Sequence, residues 1–200
     1  MIDSRLWQSG YTLDEYVNLM THFQKEMRER LKDLRITPSE CQKLKLFSPQ
    51  RNILVLTESW CPDSLMNLPV LAKIVECAPN LNMRIFLRDE NPLLGEFIIN
   101  KGIAKIPVFW VMDDGFLPLG YWMERPKNAY KKVAGWKLEN PELERLKHDD
   151  ELDADTRRMK LKAIIARYVD EMWNWYDTGL QSDTISEIAE ILWNSVNIKK

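Results

Sequence analysis

Apolar positions follow a helical period at both ends of the chain and form short continuous runs in the middle. Tyr16, Met20, Phe23, Met27, Leu31 and Leu34 recur at steps of three and four, which predicts one amphipathic helix face. Thr12 stands before the stripe as an N-cap, with Asp14 and Glu15 in the first turn. Thr37-Pro38-Ser39-Glu40 reads as a capping box with proline at the first helical position, opening a second short helix that carries Cys41 and Leu44.

From Ile53 the period changes. Ile53-Leu54-Val55-Leu56 is an unbroken apolar run, as suits a strand covered on both faces. Cys61 to about Ala78 returns to helical spacing through Leu65, Leu68, Leu71, Ile74 and Val75, and Pro79-Asn80 stops it. Met83 to Leu87 predicts a second strand, Asn91 to about Lys101 a helix ended by Gly102, and Pro107 to Met112 a third strand. Asp113-Asp114-Gly115 is a hairpin signal, and Phe116 to Trp122 a fourth strand. Pro118 belongs at an edge or a bulge, because it donates no ladder hydrogen bond. The order is strand, helix, strand, helix, strand, hairpin, strand, helix. It predicts a mixed four-stranded α/β sheet with helices on both faces.

The remainder is helical. Arg125 to about Lys137 forms one helix, and Pro141 to about Tyr176 a long segment that the run His148-Asp149-Asp150-Glu151 breaks. Gly179 interrupts, and Ile185 to Trp193 closes the pattern. The division is an N-terminal helical extension (1–49), an α/β domain (50–138) and a C-terminal helical extension (139–200) packed on the core. Trp173, Trp175, Tyr176 and Trp193 either cover the sheet or form a homodimer contact.

Composition narrows the function. A formal net charge of -2 gives no basic field for nucleic acid. No run approaches the roughly 20 apolar residues of a membrane span, and Met1 to Gly10 lacks a signal-peptide pattern. The expected setting is cytoplasmic. Three cysteines, Cys41, Cys61 and Cys77, are an odd and widely spaced set, so no disulfide framework is expected. With two histidines, His22 and His148, they suggest neither a metal site nor a cofactor.

Cys61 has a special place, directly after a buried strand and at the start of a helix. Free N–H groups and the helix dipole at such a position stabilise a thiolate, so a lowered pKa is expected. Pro62 falls in the first turn, where its missing N–H is harmless. Trp60-Cys61 after an apolar strand resembles the thioredoxin active-site motif. Gly102 to Phe109 resembles the thioredoxin segment that carries a cis-proline, here Pro107. The resemblance covers roughly residues 50 to 138. Glu58 and Leu65-Met66-Asn67-Leu68-Pro69 are closer to bacterial thioredoxin-like proteins with added helices than to thioredoxin itself.

The resemblance implies a three-layer thioredoxin-like sandwich, with Cys61 as nucleophile and Ser64 as its hydrogen-bond partner. Trp60, Pro62, Asp63, Ile106 and Pro107 would then line the substrate groove. It implies a protein or low-molecular-weight thiol or disulfide as partner. Three positions depart from the family. Ser64 stands where the resolving cysteine would be, Val55 where a buried aspartate would be, and Asp63 where a small or basic residue is usual. Without the second cysteine the motif closes no internal disulfide, so the reading is monothiol thiol–disulfide exchange. Its alternative is a non-catalytic binding module with a degenerate redox motif. A glutathione-transferase-like arrangement fits poorly with some fifty helical residues before the first strand. Cys77 lies sixteen residues from Cys61, about 24 Å along one helix, and is expected to be a buried apolar cysteine. Whether Cys41 reaches Cys61 is left open.

Overall fold

The computed structural model describes residues 2–149 and 151–196. Asp150, in the acidic run expected to break the long C-terminal segment, lies outside the described residues. The chain divides into two compact units. One holds the described residues of 1–125 and of 184–200, and the other holds residues 126–183.

The first unit is built on four strands, β1 (Arg51–Thr57), β2 (Leu81–Leu87), β3 (Val108–Met112) and β4 (Pro118–Met123), in spatial order β2-β1-β3-β4. β1 pairs parallel with β2 and antiparallel with β3, and β3 pairs antiparallel with β4. Central β1 is buried from Asn52 to Thr57, which is why it reads as an unbroken apolar run. Pro118 begins edge strand β4, beside a register shift between Val111 and Met112.

The N-terminal helices are α1 (Ser4–Ser9), α2 (Leu13–Leu19), α3 (Gln24–Asp33) and α4 (Pro38–Lys45). The single stripe from Tyr16 to Leu34 is therefore two helices. Phe23, in the left-handed region at φ 53°, separates them, and the apolar period continues across the break. The capping boxes at Thr12 and Thr37 both form. Between α1 and α2, Tyr11 exchanges two backbone hydrogen bonds of 2.8 Å with Ile85 and so extends the sheet beyond β2. Gly10 makes this possible, since a Cβ there would stand 2.5 Å from the Phe86 ring.

Two helices follow the first two strands, α5 (Pro62–Cys77) and α6 (Pro92–Ile99). α5 is buried over most of its length and therefore lacks a polar face. One face of the sheet gathers Leu54, Leu56, Phe86, Val108, Trp110 and Met112 with Leu94 and Ile98 of α6. The later part of α10 (Gln181–Asn194) also belongs to this unit, where Thr184 donates to the Asn67 side chain at 2.9 Å.

The second unit comprises α7 (Lys127–Glu139), α8 (Glu142–Lys147), α9 (Ala154–Trp175), a π-helical turn at Tyr176–Leu180, and the first residues of α10. Its apolar cluster is centred on Trp136, Leu146 and Ile164. Among the described residues no helix is long and apolar enough to cross a membrane.

Candidate functional site

The site lies in the first unit, where β1 gives way to α5. β1 delivers a buried strand end at Thr57, the turn Glu58-Ser59-Trp60 follows, and Cys61 is the N-cap of α5. Pro62 takes the first helical position and loses no hydrogen bond there. The Ile106–Pro107 peptide, just before β3, is cis. The Cys61 thiol donates to the Ile106 carbonyl oxygen at an Sγ–O distance of 3.5 Å. Cys61, Ile106 and Pro107 are thus brought together from segments some 45 residues apart. Trp60 is 44% exposed beside them, with the Arg88 guanidinium 5.5 Å from its ring centroid.

The electrostatics of Cys61 differ from the sequence expectation. Its side chain is covered, with 5% exposure. Burial pushes the thiol up to about 11, and the Asp63 charge adds to the rise. The nearby Ser64 hydroxyl and the backbone N–H groups of Ser64 and Asp63 pull the other way by favouring the thiolate, though the resting side chain makes no capping hydrogen bond to them. The helix start therefore supplies its expected stabilisation, and desolvation outweighs it. The lowered pKa expected from position alone is corrected to a raised one. At pH 7 the resting side chain is therefore a thiol.

Asp63 is engaged by a neighbouring cation. It is buried, and its Oδ2 accepts a hydrogen bond from Arg125 Nη2 at 2.5 Å. Arg125 also pairs with Glu124 at 2.9 Å, and Lys105 reaches Glu124 at 2.6 Å. Burial pushes the Asp63 carboxyl up to about 7, against the pull of the Arg125 guanidinium. Asn67 ties this cluster to α5 by donating to the backbone carbonyls of Asp63 and Glu124 at 2.9 and 3.2 Å. The Glu124 N–H donates to the Pro107 carbonyl at 2.8 Å, so the same cluster holds the segment at the cis peptide.

Glu58 is buried, accepts the Asp89 N–H at 2.7 Å, and has its carboxyl raised, mainly by burial. Val55 is fully buried, so β1 offers no carboxylate at that level.

The other two cysteines require a second correction. Cys41 of α4 and Cys77 at the end of α5 form a disulfide, with Cα atoms 5.3 Å apart. Cys77 is half-buried rather than a buried apolar residue, Cys41 does not pair with Cys61, and Cys61 is the free cysteine. Spacing in sequence carried no sign of this pairing, because α4 and α5 meet only through the packing of the N-terminal extension.

Sequence reasoning also missed Thr57, Glu124 and Arg125. Thr57 donates to Ser64 Oγ at 2.6 Å beneath the cysteine. A basic residue next to an acidic one after β4 was the available signal for Arg125.

A family model described as thioredoxin matches residues 10–139 of the chain. A crystal structure of a protein of unknown function from Pseudomonas aeruginosa is similar at 22% identity and a TM-score of 0.58, over 69% of this chain and 89% of that one. An HIV epitope-scaffold is similar at 22% identity and a TM-score of 0.55, over 62% and 78%. At these identities the two structures speak for the fold alone. No curated protein matches.

Proposed function

The chain belongs to the thioredoxin family, and from that premise we propose that it is a single-thiol exchange protein whose sulfur, Cys61, is masked at rest. One observation carries the reading. The free cysteine is the N-cap of α5, with its thiol on the carbonyl of Ile106, immediately before the cis peptide to Pro107. The reaction this arrangement suits is attack of the Cys61 thiolate on one sulfur of a disulfide. The substrate S–S bond breaks, one sulfur leaves as a thiolate, and the other stays joined to Cys61. A thiol from solution or from a partner protein then releases it. Cys41 and Cys77 are tied to each other, and Ser64 has no sulfur to offer.

Because the resting thiol is protonated and covered, exchange in the free protein is slow at neutral pH and accelerates as the thiolate forms. Incubation with an excess of an aromatic disulfide, followed by intact mass, tests this. The expected result is an adduct that forms faster from pH 7 to pH 10 and is absent in Cys61→Ser. No adduct at pH 10 in the folded protein would overturn the exchange reading.

The covered thiol also favours a second reading, a binding module in which exposed Trp60 anchors a partner and the sulfur takes no part. Partner retention by Cys61→Ser would support that reading. The Cys41–Cys77 disulfide favours an oxidising compartment over the cytoplasmic one expected from composition.

A further inference from the structure

We propose that Glu124 is a positioning residue for Cys61, one that clamps the 105–107 segment and so holds the Ile106 carbonyl against the resting thiol. The inference rests on Cys61 being the working sulfur and concerns what keeps it masked.

Glu124 follows edge strand β4 in an uncommon conformation. It is buried, and its φ of 60° lies in the left-handed region, which costs free energy for a residue with a Cβ. A residue other than glycine persists there where its surroundings over-determine it. The Glu124 N–H donates to the Pro107 carbonyl at 2.8 Å, and the Glu124 carbonyl accepts from Asn67 Nδ2 at 3.2 Å. Its Oε2 accepts from Lys105 Nζ at 2.6 Å, and its Oε1 pairs with Arg125 Nη2 at 2.9 Å.

The order of these contacts along the chain points to Cys61. The backbone of Glu124 holds Pro107 and its side chain holds Lys105, so one residue grips the chain on both sides of Ile106. Ile106 supplies the carbonyl oxygen that accepts the Cys61 thiol at 3.5 Å. A segment held at one point can swing, whereas a grip on both neighbours fixes the direction of the carbonyl between them. The other contacts of the clamp return to α5. Asn67 lies on that helix, and Arg125 reaches Asp63 in its first turn. Carbonyl and sulfur are therefore held in one frame. A carbonyl oxygen accepts from a thiol and has nothing to offer a thiolate, so holding it there favours the protonated sulfur.

The test is the rate of Cys61 alkylation by iodoacetamide at pH 8 in the full chain, with Lys105→Gln as the deciding variant. Position and charge act there in opposite directions. Loss of a nearby cation disfavours the thiolate and slows the reaction, whereas release of the Ile106 carbonyl speeds it. The clamp predicts a rate about twofold to fivefold above native, a modest gain because the Lys105 side chain is 55% exposed. Lys105→Arg keeps the ion pair and should react at the native rate. Glu124→Gln weakens both side-chain pairs and should react at least as fast as Lys105→Gln, and the double variant should go no further than Glu124→Gln. Lys73→Gln removes an ion pair with Glu76 elsewhere on α5 and should keep the native rate. A native or slower rate in Lys105→Gln overturns the proposal, and so does additivity in the double variant. An equal gain in Lys73→Gln would mark general loosening and would also overturn it. Should Glu124→Gln fold poorly, Lys105→Gln decides alone. These outcomes are separate from disulfide exchange. A chain that exchanges, but whose Lys105→Gln rate is native, loses only the clamp.

Discussion

The two ends of α5 carry the same side chain in opposite chemical states. At the N-terminus Cys61 is a free thiol, buried and hydrogen-bonded to a backbone carbonyl. At the C-terminus Cys77 is oxidised and joined to Cys41 on α4. The helix dipole favours an anion at the first and offers nothing to the second. The end with the favourable dipole is nevertheless the one with a raised thiol, because it is also the end packed under the sheet and beside the carboxyl of Asp63. Position along a helix fixes the sign of one contribution. Burial and neighbouring charge decide the total.

The strongest way to break the N-terminal end is to remove Arg125. Arg125→Met at pH 8 would leave Asp63 and Glu124 buried without their guanidinium. The expected loss is about 3–5 kcal/mol of unfolding free energy, measured by urea denaturation. At pH 5 the loss should be smaller, because Asp63 can then be neutral.

Breaking the C-terminal end should cost slightly less. The Cys41–Cys77 bond closes a loop with a sequence separation of 36. Cys41→Ser/Cys77→Ser is expected to lose about 3–4 kcal/mol and to leave the Cys61 alkylation profile in place. A shift in that profile would show that the two ends are coupled.

Asp63→Asn sharpens the comparison through pH. The Asp63 carboxyl is raised in the folded state from 3.8 to about 7. Its contribution to stability is therefore complete below about pH 4 and is lost as pH rises through about 7. Unfolding free energy should fall over that window in the native chain, and Asp63→Asn should flatten this part of the curve. The same substitution removes a charge that raises Cys61, so the alkylation profile should move downward. The smallest expected effect is that of Ser64→Ala, an upward displacement of the same profile through loss of one hydrogen bond.

The strand order, the hairpin and the helix start at Cys61 were legible because each leaves a local mark: an unbroken apolar run, a turn dipeptide, a proline after a cysteine. The break at Phe23 was not, since the three- and four-residue steps run on through it. The Cys41–Cys77 pair was hidden because the contact of α4 with α5 depends on tertiary packing. At the site, the identity of the key sulfur could be read, and its protonation could not. Helix position is written in sequence order, whereas burial depends on tertiary neighbours such as Ile106, whose carbonyl lies against the sulfur from a segment 45 residues away. Asp63 illustrates the same limit. Its motif position says nothing of its ion pair, because the partner, Arg125, stands sixty-two positions away.

The most direct test of a masked Cys61 is its alkylation rate in the folded native chain as a function of pH. The account predicts slow modification at pH 7 and an apparent pKa near 11. An apparent pKa at or below about 8.5, the free-cysteine value, would show that the sulfur is not masked and contradict it.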